Sequence, residues 1–256
     1  MTGIDLFSTK SDLYATARPT YPSELLTYIA AQVPARSVVW DCGTGNGQAA
    51  VALAELFTSV EATDLSAEQI RHALPSPRVR YSVQPAERTN FAAASFDAVC
   101  VAQALHWFDY AVFYPEVYRV LKLDGIFAAW GYSWPAITPD IDVVVKQNLL
   151  EVLAPYWAPQ NQLLWNSYRE VPFPFDEIVA PSFVIALDWT RDDFFDYVNT
   201  WSATRLCLAE HGADYLASVR DRLAQVWGDP ATHRPVRMAL ALRIGRRRKD
   251  GNLQAL

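Results

Sequence analysis

Cysteine and histidine are scarce and unpatterned. The three cysteines, Cys42, Cys100 and Cys207, are odd in number, far apart and without a C-x-x-C pair. That argues against a disulfide framework or a thiolate zinc site and suits a reducing compartment. The four histidines, His72, His106, His211 and His233, share no metal-ligand spacing, so no metal is expected. Lysine is missing from residue 11 to residue 121, which removes the Gly-Lys-Ser/Thr ending of a phosphate-cradling loop from that stretch. No apolar run is long enough to span a bilayer. Positive charge does not dominate either: 22 Lys and Arg against 28 Asp and Glu give a net charge of −6, no basis for holding a phosphate backbone. The one basic cluster, RRRK at 246–249, reads as a solvated tail. The opening MTGIDLFSTKSDLY lacks the charged-then-apolar layout of a secretory signal. The expectation is a soluble cytoplasmic protein with neither a membrane nor a nucleic-acid partner.

Apolar material is abundant. At 51% hydrophobic over 256 residues, the chain supports one large core. Residues 22–33 put Leu25, Leu26, Ile29, Ala30 and Val33 on one helical face. From there strands and helices alternate. SVVWD (37–41), SVEATD (59–64), VRYSV (79–83), FDAVCVA (96–102) and GIFAAWGY (125–132) read as strands. QAAVALAELF (48–57), SAEQIRHAL from Ser66, and AVFYPEVYRVL (111–121) read as helices, with Pro115 expected in the first turn of the last. Ser66 and Gln69 form a capping-box pattern. Buried-looking strands alternating with amphipathic helices predict a doubly wound α/β fold with a mostly parallel, seven-stranded sheet. After about residue 133 the rhythm changes. Residues 140–156 and 192–227 read as helical, and SFVIALDWT (182–190) and VRMALALRIG (236–245) as a late antiparallel strand pair. One domain is expected over 1–256, with a core in 1–133 and a helical cap in 134–256 inserted around the last two strands. Seven of the nine tryptophans fall at or after residue 130; most are expected to fill the core of that cap, although aromatics there also suit an apolar pocket.

Between the first strand and the next helix stands DCGTGNG (41–47). A dinucleotide fingerprint needs its third glycine three residues after the second, whereas Gly43, Gly45 and Gly47 alternate and Gln occupies position 48. Asp41 at the strand end would repel a pyrophosphate but suits a cationic amine. Asp64, at the end of the next strand, is placed to accept from both hydroxyls of a ribose. An ammonium, a ribose and no phosphate describe S-adenosylmethionine.

DCGTGNG, ATDLS (62–66), PAERTNF (85–91) with SFDAVCVAQALHWFD (95–109), and RVLKLDGIFAAWGY (119–132) occur in the order and spacing of a known family. The chain resembles the class I S-adenosylmethionine-dependent methyltransferases, in particular the type 11 group that includes the trans-aconitate methyltransferases; YATARPTYP (14–22) and TWSAT (200–204) are similar to the narrower subgroup. The resemblance implies a Rossmann-like fold and S-adenosylmethionine as methyl donor. It also implies roles: Asp41, Gly43 and Gly45 for the methionine moiety, Asp64 for the ribose, and Leu65 and the Ala86 N–H for the adenine. Gln103 would lie near the sulfonium. Many relatives carry Asp where Pro85 stands here, so the adenine amino group is left to Glu87, a backbone carbonyl or water.

The acceptor is less defined. His106 and Trp107 follow the fourth strand, where the methyl should point, and His106 is a candidate base or substrate hydrogen-bond donor. Tyr14 and Arg18 precede the first helix, and Arg18 suits a substrate or cofactor carboxylate. Trp201 and Arg205, four residues apart, would share a helical face towards the pocket. A small-molecule acceptor is expected, first an organic-acid carboxylate, second a hydroxyl or carbon of a secondary metabolite. A non-catalytic S-adenosylmethionine-binding regulator is the rival from another class. A nucleic-acid methyltransferase is disfavoured by charge and by AQALHW standing where an Asn/Asp-Pro-Pro-aromatic sequence would be.

Overall fold

The computed structural model describes residues 17–249. One sheet organises them, in the order β3-β2-β1-β4-β5-β8-β6, with β7 also paired to β8. Its strands are β1 (Val38–Cys42), β2 (Ser59–Asp64), β3 (Val79–Val83), β4 (Phe96–Ala102), β5 (Leu121–Tyr132), β6 (Asp176–Glu177), β7 (Phe183–Trp189) and β8 (Arg234–Arg246). β1 to β5 pair in parallel, while β8 runs antiparallel to β5, β6 and β7. The mostly parallel doubly wound sheet with a late antiparallel addition is as the sequence predicts; the two-residue β6 makes it eight strands.

The central strands read as near-continuous apolar runs because both faces are covered. On one face, α1 (Ser23–Gln32) and α2 (Gln48–Leu53) bury Leu25, Ile29 and Leu53 against Val39, Val60 and Ala128. On the other, α4 (Tyr110–Val120) buries Phe113, Tyr114 and Val117 against Trp40, Val99 and Phe127. The short α3 (Ala67–Arg71) begins where Ser66 Oγ accepts the Gln69 N–H. Pro115 is not in the first turn of α4. It is the sixth residue of the helix, and Asp109, accepting the Ala111 N–H, is the cap that starts it.

Helices gather beyond β5. α5 (Pro139–Val145) continues through a π turn (Lys146–Leu150), α6 (Glu151–Leu153) and a 3-10 turn (Ala154–Tyr156). α7 (Asn161–Trp165) follows, a helix the sequence reading did not anticipate. α8 (Arg191–Asn199), α9 (Ser202–His211) and α10 (Ala217–Trp227) share a third apolar cluster that includes Ile141, Phe194, Cys207, Leu223 and Trp227.

RRRK is not a solvated tail. Arg246 ends β8 and donates to the Asp124 carbonyl, Arg247 bonds the Leu121 carbonyl, and Arg248 pairs with Asp176. These guanidiniums cap free carbonyls at the sheet end and a strand-end carboxylate, which accounts for a basic cluster in an acidic chain. Among the described residues no helix is long and apolar enough to cross a membrane.

Candidate active site

The strand order reverses between β1 and β4, and in open α/β sheets ligands bind outside the carboxyl ends of the strands at such a point. A cavity of about 790 Å³ opens there, within the range of small-molecule sites. Its floor comes from the segments leaving β1 (43–49), β2 (64–66), β3 (84–87), β4 (102–108) and β5 (132–134), and its roof from 157–165 and 197–202.

The glycine loop shapes one end. Gly43 and Gly45 both have positive φ, +71° and +55°, a conformation that disfavours a Cβ. A Cβ on Gly43 would lie 2.7 Å from the Ala104 Cβ, so this glycine lets the loop pack on the β4 turn. A Cβ on Gly45 would meet nothing nearer than 4.0 Å, so this glycine leaves backbone bare towards the cavity. The Gly43 and Thr44 N–H groups both donate to the Thr63 carbonyl at 2.9 Å, fixing the loop to β2.

Asp64 ties the loop to the next turn. Its Oδ2 accepts the Gly45 N–H and its Oδ1 the Ser66 N–H, each at 2.8 Å. Burial pushes its carboxyl up, opposed by these backbone donors. Leu65 beside it lines the cavity while 52% exposed, an apolar face with room against it. Ala86 and Glu87 complete this end.

Asp41 is not on the lining. It is fully buried beneath the loop, with Oδ2 accepting the Thr44 hydroxyl at 2.5 Å and Oδ1 lacking a hydrogen-bond partner among the described residues. Burial pushes its carboxyl up to about 7, and the nearby Asp64 adds to that. The Thr44 hydroxyl and the Ala50 N–H at the start of α2 pull it down.

Gln103 takes a left-handed conformation, φ +57°, a strain of roughly 1–3 kcal/mol for a residue with a side chain. Two bonds hold it: its N–H to the Trp130 carbonyl at 2.6 Å, and its side-chain oxygen to the Tyr132 N–H at 3.2 Å. The turn aims the chain from β4 back over the cavity, bringing His106 and Trp107 to its wall.

His106 is buried, which pushes its imidazole down to about 4, so it is neutral at pH 7. Its Nδ1 lies 3.2 Å from the Tyr168 hydroxyl. A proton donated by that fully buried hydroxyl to Nδ1 corresponds to the tautomer with the histidine's own proton on Nε2. His106→Asn is therefore expected to leave kcat without the pH 6.5 inflection that an ordinary histidine base would give. A kcat profile from pH 5.5 to 8, identical in shape for parent and variant, is the check.

Arg18 reaches the lining from the N-terminal segment. Its Nε donates to Thr200 Oγ1 at 3.1 Å, Nη1 to the Tyr132 hydroxyl at 3.3 Å and Nη2 to the Thr200 carbonyl at 3.4 Å. Trp201 is on the lining, but Arg205 is not: the two do not share the face turned to the cavity. Trp201 precedes α9, so the helical spacing assumed for the pair starts one residue too early. Tyr14 lies outside the described residues. Most of the late tryptophans pack in the third apolar cluster as expected: Trp201 and Trp227 belong to it, and Trp134, Trp157 and Trp189 pack against it. Four of the seven, Trp134, Trp157, Trp165 and Trp201, also line the cavity.

The comparisons agree with this geometry. A family model described as a methyltransferase domain matches residues 40–129, the stretch from β1 through most of β5. A Dictyostelium discoideum protein named as a methyltransferase is 30% identical over 227 residues, 87% of this chain and 86% of that one. A Mycobacterium tuberculosis methyltransferase is 36% identical over 217 residues, 79% of this chain and 88% of that one. The chain belongs to the class I S-adenosylmethionine-dependent methyltransferases of the type 11 group. A solved Anaeromyxobacter dehalogenans chain described as a type II methyltransferase superposes on this methyltransferase with a TM-score of 0.83. That chain is 41% identical, covering 90% of this chain and 97% of its own. The residues present suit the family's methyl donor: bare backbone at Gly45, the Asp64 carboxylate on the lining, and an exposed apolar face at Leu65 for a flat base.

Proposed function

We propose that this methyltransferase transfers a methyl group to a small-molecule acceptor held under residues 157–202, in the same chamber as the donor. The observation that carries the proposal is continuity. A single cavity runs from Asp64 and Leu65, past Gln103 and His106, to Trp134 and Trp201. Bound S-adenosylmethionine supplies a methyl on a sulfonium, a good leaving group. In this reading Gly43 and Gly45 hold its methionine portion, with Asp41 beneath compensating the ammonium and Arg18 taking the carboxylate. Asp64 accepts from the ribose, Leu65 packs on the adenine, and the Ala86 N–H and Glu87 serve its edge. Gln103 lines the passage between donor and acceptor, and neutral His106 donates through Nε2 to the acceptor. Trp107 closes the wall beside it. What remains for the protein is alignment, which can contribute roughly 7–11 kcal/mol.

The division into a donor bed in 1–133 and an acceptor-enclosing region in 134–256 belongs to the same proposal. So does a cytoplasmic setting, supported by three buried free cysteines. An organic-acid acceptor has only Arg18 in its favour, since Arg205 is off the lining.

Calorimetric titration with S-adenosylmethionine, S-adenosylhomocysteine and NADH tests the reading. The first two are expected to bind and NADH not to. Binding of NADH alone would overturn the donor assignment.

A further inference from the structure

We infer that the acceptor is an uncharged planar aromatic ring recognised by a wall of four tryptophans. The inference rests on the methyl-transfer reading above and narrows its acceptor. Trp134, Trp157, Trp165 and Trp201 come from four separate segments: the exit of β5, the residue after the 154–156 turn, the end of α7, and the residue before α9. All four reach the same cavity. Five of their ring pairs have centroids 5.1–5.7 Å apart, with interplanar angles between 38° and 87°. None of these pairs is a parallel stack: three are edge-to-face and two are tilted, so the cluster presents both ring edges and ring faces to the cavity. Trp134, Trp157 and Trp165 are only partly buried. The Trp157 Nε1–H is buried and lacks a hydrogen-bond partner among the described residues, an unusual state for an indole.

Leucines would enclose an aliphatic acceptor equally well. Indoles add an aromatic preference of about two- to tenfold in affinity for each good ring pair. Charge narrows the class further. The carboxylates on the lining, Asp64 and Glu87, belong to the adenosine end, and Arg18 is assigned to the donor's carboxylate. An organic acid would lose hydration against four indoles with no further cation assigned to it. An ammonium ion is no nucleophile and would meet the donor's positive charge. A hydroxylated ring satisfies each condition: the oxygen–methyl bond forms as the sulfur–methyl bond breaks, sulfur regains its lone pair, and the hydroxyl proton passes to bulk water.

The experiment is calorimetric titration of the full-length protein, saturated with S-adenosylhomocysteine, with 2-naphthol and separately with citrate. It is repeated for Trp157→Ala and for the milder Trp157→Phe. Saturable binding of 2-naphthol and none of citrate is expected, about tenfold weaker in Trp157→Ala and less affected in Trp157→Phe, with S-adenosylhomocysteine affinity kept in both. Binding of citrate without 2-naphthol, or 2-naphthol binding untouched by both substitutions, overturns the inference and leaves the methyl-transfer reading standing. Failure of the parent protein to bind S-adenosylhomocysteine overturns that reading and this one with it.

Discussion

Asp64→Ala is expected to weaken S-adenosylmethionine binding by about two to three orders of magnitude. A carboxylate has roughly four acceptor positions. The Gly45 and Ser66 N–H groups, each at 2.8 Å, use two of them and at the same time fix the carboxylate's orientation. The Leu65 N–H also acts on this carboxylate, and the lone pairs left over face the ribose hydroxyls. Hydrogen bonds to a charged group contribute about 1.5–3 kcal/mol each. Two at the low end of that range, about 3–4 kcal/mol together, correspond to a few hundredfold in affinity. The same substitution leaves the Gly45 and Ser66 N–H groups without their acceptor, so a loss of about 1–3 kcal/mol in stability accompanies it. The two effects separate in a ligand cycle. Removing the 2′-hydroxyl from S-adenosylhomocysteine should cost the parent about tenfold in affinity and Asp64→Ala nothing, by calorimetry. Equal losses in both proteins would show that the carboxylate acts only by shaping the loop.

Asp41→Asn is expected to act in the opposite direction on stability. The folded protein holds the Asp41 carboxyl at about 7, against an ordinary value of 3.8. Between those values the folded state keeps a proton that the unfolded chain has released. Stability therefore falls as pH rises through this window, by about 1.4 kcal/mol per pH unit, and is flat above it. Asparagine does not titrate. The variant should be about as stable as the parent at pH 4 and more stable by about 2–4 kcal/mol at pH 8. A bound ammonium favours the ionised carboxylate, so the parent's affinity for S-adenosylmethionine should rise from pH 5.5 to 7.5 while that of the variant stays low and flat. Urea midpoints at both pH values test the first statement; parallel stability curves for parent and variant would refute it. The protein thus carries a destabilising group under its glycine loop at neutral pH.

The sheet was legible in the sequence because strands buried on both faces are written as unbroken Val, Ala and Ile. The donor end was legible for a related reason. Gly43, Gly45, Asp41 and Asp64 are set by backbone geometry at strand ends, and strand ends are visible in a sequence. The acceptor wall was not. Trp134, Trp157, Trp165 and Trp201 are each unremarkable in their own segment and meet only through tertiary packing. Arg205 failed because a helix-period argument was applied across Trp201, which precedes the helix. Gln103 left a fainter trace, since nothing in AQALHW marks a left-handed residue, and its conformation depends on bonds to Trp130 and Tyr132 from the neighbouring strand.

The position of β8 has a consequence in time. It lies between β5 and the pair β6 and β7, in register with β5 from Ile126–Arg246 to Tyr132–Leu240. The pairing along that edge of β5 is therefore complete only when residue 246 has been made, 114 residues after Tyr132 (246 − 132 = 114). At roughly 5–20 residues per second, the interval on a ribosome is about 6–23 s. Through that interval the donor bed has all its strands but an open side, and the segments carrying the tryptophan wall have been made before the strand that joins β6 and β7 to the sheet. The five parallel strands are thus complete early in synthesis, and the sheet edge is closed only by the last strand.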